Sequence, residues 1–250
     1  PDSIVLTISK DKDYLTKPEI FMLDLLSNYK WDRPLHFLNM GGDLNIGIKE
    51  YFEYVGYSYK FVPIKNAMSQ SKVGFSDPDE LYRRMTEVYS FDAVAADDYF
   101  IDYQNMYTHL GVMSIPGLFL NAAKVFERDG RTDRSMEMLD KCCEVVRRYP
   151  LEAVPIGFSG HDFLMMGIIE KYYQYGNREK AREMGSALAE DLLSSARFYL
   201  EFYDCASEDF ELVANYIFYL TDIFKDAGDK ALADSLDSTF NDMVKIASGR

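Results

Sequence analysis

Three stretches of this chain repeat one spacing: an aromatic residue, a glycine four positions on, and a small residue five beyond that. Phe126, Gly130 and Ser135 show it first, then Tyr172, Gly176 and Ala181, then Phe224, Gly228 and Ala233. The first copy is the fullest. "IPGLFLNAAKVFERDG" carries Pro116 near its start, then Phe119, Ala122, Ala123, Phe126 and the turn glycine; "RTDRSMEMLDKCCEVVRRYP" follows with Ser135, Leu139 and Cys142 and closes at Pro150. The reason for the pattern is steric. Small residues let two helices approach closely, and large ones fill the gap beside them. A chain with this pattern is committed to paired helices over its second half.

The same pattern is that of tetratricopeptide (TPR) repeats. It predicts a mainly α fold: an irregular TPR-like helical array over 115–250, preceded by a small N-terminal α/β module. The turn glycines lie further apart than the roughly 34 residues of a regular repeat. Extra segments must therefore separate the pairs, and "SSARFYLEFYDCASEDF" (194–210) is expected to be an inserted helix. Each pair buries only one face, so stacking must complete the core, and the last helix, ending in polar "SGR", is expected to act as a cap. Asn121, Lys124 and Tyr172 fall on the first helices of their pairs and are expected to be exposed along a peptide-binding groove.

The first 65 residues read differently. "SIVLTIS" (3–9) alternates and predicts a strand; "KPEIFMLDLLSNY" (17–29) has Pro18 in its first turn and predicts a helix. A buried strand is expected over "RPLHFLNM" (33–40), a helix over "LNIGIKEYFEYV" (44–55) capped by Asp43, and a strand over "YSYKFVPI" (57–64). That order suggests a small, partly parallel α/β module over 1–65. A polar connector with helices is expected over 66–114, including a helix at "PDELYRRMTEVY" (78–89) and an acidic, aromatic stretch at 90–114.

Composition removes several function classes. The 41 acidic residues outnumber 27 basic ones, a formal charge of −14, and no basic block occurs. Nucleic acid and anionic membrane surfaces are therefore poor partners, because both need a basic face. No run approaches the roughly 20 apolar residues needed to cross a bilayer. The chain opens "PDSIVLTISKDKDYL", with no initiator Met and no signal-peptide pattern, and reads as a fragment or processed product. The 19 tyrosines and 17 phenylalanines suit interlocking helices or a surface for an extended protein or peptide partner.

No catalytic or cofactor motif emerges. Cys142, Cys143 and Cys205 lack metal-ligand spacing and read as small buried thiols. His36 sits in an apolar run and reads as structural, as do the isolated His109 and His161. "GGDLNIG" is neither a dinucleotide fingerprint nor a phosphate loop, and Asp43 already occupies the helix start it would use. Asp92, Asp97, Asp98 and Asp102 lack the order of a calcium loop and read as a solvated acidic face. Arg33 is expected to pair with Asp32 or a neighbouring helix. With so many acids, carboxylate pairs arise by chance and identify no glycosidase. Neither metal nor cofactor is expected, and the chain reads as non-catalytic by itself.

The stretch "NYKWDRPLHF" followed by "GIKEYFEYVGYSYKFVP" carries a family resemblance. Asn28, Trp31, Arg33, Pro34 and Phe37, then Gly47, Tyr51, Gly56, Tyr59, Val62 and Pro63, match the pattern of the soluble C-terminal region of a multi-spanning membrane protein family common in Bacteroidetes-type bacteria. Leu35-His36, Tyr57 and Lys60 depart mildly from it, and the "RDGRTDRSMEMLDKC" segment is similar to the family's TPR-like region. The resemblance implies a full-length protein similar to lipid-linked-sugar glycosyltransferases, with protein O-mannosyltransferase among its eukaryotic relatives. It implies catalytic acids in a membrane half that lies outside these 250 residues, so no catalytic residue carries over. The chain would then be a periplasmic, membrane-tethered domain that binds or positions a polypeptide. The alternatives are an independent enzyme using His36 where the α/β and helical parts join, and a cytoplasmic TPR scaffold.

Overall fold

The computed structural model describes residues 4–8, 10, 12–38, 46–65, 74–96, 102, 115–146 and 161–248. The fold is mainly α, with a small antiparallel sheet near the N-terminus. Two compact units divide the chain, Pro1–Tyr89 and Ser90–Arg250.

In the first unit, helix α1 (Lys17–Ser27) starts where the sequence places it. Glu19, wholly buried, accepts from the Thr16 backbone N at 2.8 Å and from Thr16 Oγ1 at 2.9 Å. Lys12 Nζ, at 2.9 Å, neutralises it. A carboxylate at the helix start satisfies an otherwise orphaned donor and complements the dipole. Three short strands follow: β1 (His36–Phe37), β2 (Phe52–Tyr54) and β3 (Tyr59–Phe61). They form an antiparallel sheet of order β1-β3-β2, with His36 opposite Lys60 and Lys60 opposite Glu53. The core holds Ile46, Ile48, Tyr51, Phe52 and Phe61, with Met22, Leu23 and Leu26 of α1 packed against it.

Several expectations change here. The sheet is antiparallel in every named pairing, not partly parallel. The helix expected over 44–55 is a single 3-10 turn, Ile48–Tyr51, running straight into β2. Aromatic side chains at Phe52 and Tyr54 pack better on a pleated, buried surface than on one helix face, and the hairpin partner Tyr59–Phe61 lies close by. Residues 4–8, expected as a strand, make no ladder. They are pinned by one side chain: Tyr51 Oη donates to the Val5 carbonyl at 2.9 Å and accepts from the Val5 amide at 3.3 Å. Gly47, at φ 76°, lets the two backbones meet, since a Cβ there would lie 2.6 Å from the Thr7 carbonyl oxygen. The outer edge of β2 is covered: Tyr54 N donates to the Phe75 carbonyl at 2.6 Å and Ser76 Oγ to the Tyr54 carbonyl at 2.7 Å. Helix α2 (Pro78–Arg83), capped by Asp77, passes into a π-helical turn, Arg84–Val88.

The second unit opens with a single helical turn, α3 (Asp92–Ala95). Three helical hairpins follow: α4 (Ile115–Arg128) with α5 (Thr132–Val146), α6 (His161–Gln174) with α7 (Arg178–Glu201), and α8 (Tyr203–Asp226) with α9 (Lys230–Ser248). Besides the pairing within hairpins, α4 packs on α6, α6 on α8, and α7 on both α8 and α9. Each hairpin turns through the same device. Gly130, Gly176 and Gly228 have φ of 76°, 80° and 74°. The next residue's amide reaches back to the aromatic's carbonyl: Arg131 to Phe126 at 2.8 Å, Asn177 to Tyr172 at 2.9 Å, and Asp229 to Phe224 at 2.8 Å. This is the Schellman motif, and the aromatic at its far end points inward. Phe126, Tyr172 and Phe224 are indeed buried, as are Ser135, Ala181 and Ala233. The inserted helix expected at 194–210 is absent as a separate element; the segment lengthens α7 and starts α8, with a break at Ala206 (φ −133°, ψ 28°).

Candidate functional site

The residues of the N-terminal signature build a corner of the first unit. Trp31 takes a left-handed backbone, φ 61°, rare for a bulky side chain. Its indole stacks on Phe61 at 5.4 Å and tilts against Tyr29 at 4.7 Å, which holds the turn in that conformation. Tyr29 Oη donates to the Arg33 carbonyl. The Arg33 guanidinium makes no ion pair among the described residues, against expectation, and Pro34 is exposed beside it. Phe37 packs on Phe52 at 4.7 Å, and Tyr59 contacts Phe52 and Tyr54. Gly56 lies in the β2–β3 turn against Tyr89, where a Cβ would come within 2.7 Å of the ring, and Pro63 is half-buried just past β3. These contacts shape the module and perform no chemistry.

His36 is exposed on β1. Its Nδ1 lies 2.9 Å from Ser58 Oγ, and no carboxylate hydrogen-bonds the ring among the described residues. Partial burial, then the charges of Arg84 and Lys60, hold its pKa below the ordinary value. A serine nucleophile needs a base that is itself oriented by a third group, and none is bonded to His36 among the described residues. His109, Asp97, Asp98, Asp43 and the Gly41-Gly42 pair lie outside the described residues, as does the His161 side chain; Asp92 and Asp102 are exposed.

In the second unit the expected groove residues separate. Asn121 is half-buried and Lys124 exposed on α4, but Tyr172 is wholly buried. The exposed position expected for it is corrected by its place at the far end of a Schellman turn. Its Oη donates to Asp140 Oδ1 at 2.8 Å, and Lys180 Nζ reaches the same oxygen at 2.6 Å. Burial pushes the Tyr172 phenol far above its ordinary pKa. Cys143 Sγ lies 3.5 Å from Tyr172 Oη and 3.6 Å from Met184 Sδ. Burial raises the thiols of Cys142 and Cys143, which disfavours the reactive thiolate. Cys205, expected buried, is exposed on α8. Asp229 is the strongest electrostatic knot. It accepts from Arg178 at 2.8 Å and from Arg182 Nε at 3.0 Å, joining α7 to the turn of the next hairpin. Arg182 first, then Tyr173 and Arg178, hold its carboxyl well below the usual range.

What remains open to a partner is aromatic. Phe163 on α6 stacks on Tyr219 on α8 at 5.8 Å and 19°, yet the two are 52% and 41% exposed. Partial burial, then the carboxylate of Glu170, raises the Tyr219 phenol. Both rings lie on first helices of their hairpins, the faces expected to bind, though neither was singled out from sequence. They sit far apart in the chain, and only the α6–α8 packing joins them. A second opening, an open groove of about 650 Å³, lies between the ends of α7 and α9 and is lined by Arg197, Leu200, Glu201, Asp242, Met243 and Ile246. No group of three or more His, Cys, Asp or Glu could hold a metal among the described residues, and no helix among them is long and apolar enough to cross a membrane.

Comparison with curated proteins and with solved structures gives no match. Residues 2–79 match a family model, TMEM260-associated domain 2. The matched stretch contains the Trp31 corner and the whole sheet, so this part of the chain is similar to a domain associated with a membrane protein.

Proposed function

We propose that the chain is a non-catalytic binding and positioning domain of a membrane-bound, glycosyltransferase-like protein, working on the extracytoplasmic side and holding an extended polypeptide. The observation that carries the binding role is the exposed Phe163–Tyr219 stack on successive first helices. Rings fixed on rigid helices offer a large contact area at low entropic cost. The membrane association is supported by the match over residues 2–79, and the glycosyltransferase part by the sequence resemblance. In the second unit, by contrast, Asp140 pairs with Lys180, Glu127 with Lys171, and Asp229 with Arg178 and Arg182, contacts that tie helices together.

The test is fluorescence anisotropy of labelled unstructured peptides of basic-aromatic, neutral and acidic composition. With Glu170 beside Tyr219, the basic-aromatic peptide should bind best. The double variant Phe163→Ala, Tyr219→Ala should weaken it by about tenfold or more, as for loss of central aromatic anchors. Binding of no peptide, or equal binding by the double variant, sinks the proposal.

A further inference from the structure

The first unit gathers positive charge at one place on an otherwise acidic chain. His36 and Lys60 are register partners on adjacent strands, so their side chains leave the same face of the sheet side by side. Ser58, in the turn before β3, bonds His36 Nδ1 at 2.9 Å, and Nε2 makes no hydrogen bond among the described residues. The π-helical turn carries Arg84, whose charge acts on the His36 ring. Its end is tied to the same β2–β3 turn: Tyr89 N closes the π turn on the Arg84 carbonyl at 2.8 Å, Tyr89 Oη donates to the Val55 carbonyl at 2.6 Å, and its ring meets Tyr57 at 5.1 Å. Single π turns recur at functional sites.

We propose that His36, Lys60 and Arg84, with the Ser58 hydroxyl, form a binding site for a tetrahedral oxyanion of the phosphate class. The argument is one of unspent donors. Arg84 uses Nε on Glu80 at 2.7 Å, and its two terminal nitrogens make no hydrogen bond among the described residues. Among the described residues Lys60 has only a loose ion-pair partner, Glu53, at 3.8 Å. His36 uses one nitrogen of two. The register pair His36 and Lys60, with Ser58 bonded to the ring and the Arg84 charge near enough to act on it, suits the several oxygens of a phosphate better than the two of a carboxylate. The facing charges are Lys60 and Arg84, with Glu53 beside the first and Glu80, shared with Arg83, beside the second. The overall charge of −14 does not cancel this cluster, since screening confines charge effects to about 8–10 Å. The site lies in the first unit and does not depend on the peptide-binding reading.

The arrangement makes binding pH-dependent. Arg84 and Lys60 disfavour a proton on His36, and a bound dianion reverses that. The pKa of His36 should therefore rise on binding, and binding should strengthen as pH falls through the His36 titration. The test uses the whole chain and proton NMR of the histidine ring, assigned with His36→Gln. Titrations run in chloride and in sulfate at equal ionic strength, because sulfate keeps its charge across the range. The His36 midpoint should move up in sulfate by about half a unit or more. Lys60→Met and Arg84→Gln should each weaken sulfate and phosphate binding about two- to fivefold, the size of an exposed charge contact. Lys60→Arg should retain it. Glycerol phosphate and vesicles of phosphatidylcholine with phosphatidic acid separate the two sources of such an anion. Binding of the first in solution assigns a soluble phosphomonoester; cosedimentation with the second, lost in Lys60→Met, assigns a lipid headgroup. An unmoved midpoint, or binding unchanged in both charge variants with Trp31 emission intact, overturns the site.

Discussion

Gly185 lies buried on α7 where that helix meets α8. A Cβ built there would sit 2.6 Å from Phe224 Cε1 and 2.8 Å from Cζ. Carbon atoms pack at about 3.5–4.0 Å, so the methyl group intrudes by roughly an ångström. The ring cannot step aside, because Phe224 is 1% exposed and anchors the third Schellman turn through its carbonyl. Two effects oppose each other in Gly185→Ala. Helix propensity favours alanine by about 1 kcal/mol. Overpacking costs about 1–3 kcal/mol, and a rigid aromatic neighbour puts this site at the upper end. The net should be a loss of about 1–2 kcal/mol, or roughly 2–8 °C in Tm for a unit of this size. Denaturant unfolding followed by far-UV circular dichroism measures it. A cycle with Phe224→Leu isolates the cause: with the ring gone, Gly185→Ala should be neutral or stabilising, giving a coupling of about 2 kcal/mol. If Gly185→Ala alone stabilises the protein, the missing side chain does not set the α7–α8 distance and the reasoning fails.

Two further outcomes follow from the packing. Gly47→Ala places a Cβ 2.6 Å from backbone atoms of Thr7 at positive φ, and should cost about 2–4 kcal/mol; limited proteolysis should then cut within residues 4–8 far faster than in the parent. Asp229→Asn removes the charge that Arg178 and Arg182 share, at about 1–2 kcal/mol after allowing for their half-exposed side chains. Because the folded carboxyl titrates below its ordinary value, that contribution is complete above about pH 4 and lost as pH falls further. The stability difference between parent and Asp229→Asn should therefore shrink in acid, and a difference that grows would reverse the assignment.

The helical half was legible because its signals are local. An aromatic and a glycine occupy fixed places in one Schellman turn, and the small residue follows in the first turns of the next helix, so Phe126, Gly130 and Ser135 mark themselves without knowledge of the rest of the chain. The same turn explains the misplacement of Tyr172: the residue whose carbonyl closes it faces inward whatever its polarity. The sheet was harder to read. "EYFEYV" fits a helical period, and only its pairing with Tyr59–Phe61 makes it a strand. The candidate sites were the least legible. Phe163 stacks on Tyr219, and His36 feels the charge of Arg84, across segments distant in the chain, and nothing in their immediate neighbours marks them.

The stack of Trp31 on Phe61 also gives the molecule a built-in gauge. It is the chain's sole tryptophan, and it rests on the sheet core of the first unit. Its emission therefore reports the state of that unit alone, while far-UV dichroism is dominated by the long helices of the second. Two unfolding curves recorded on one sample would show directly whether the units melt together or apart, with no label and no dissection of the chain.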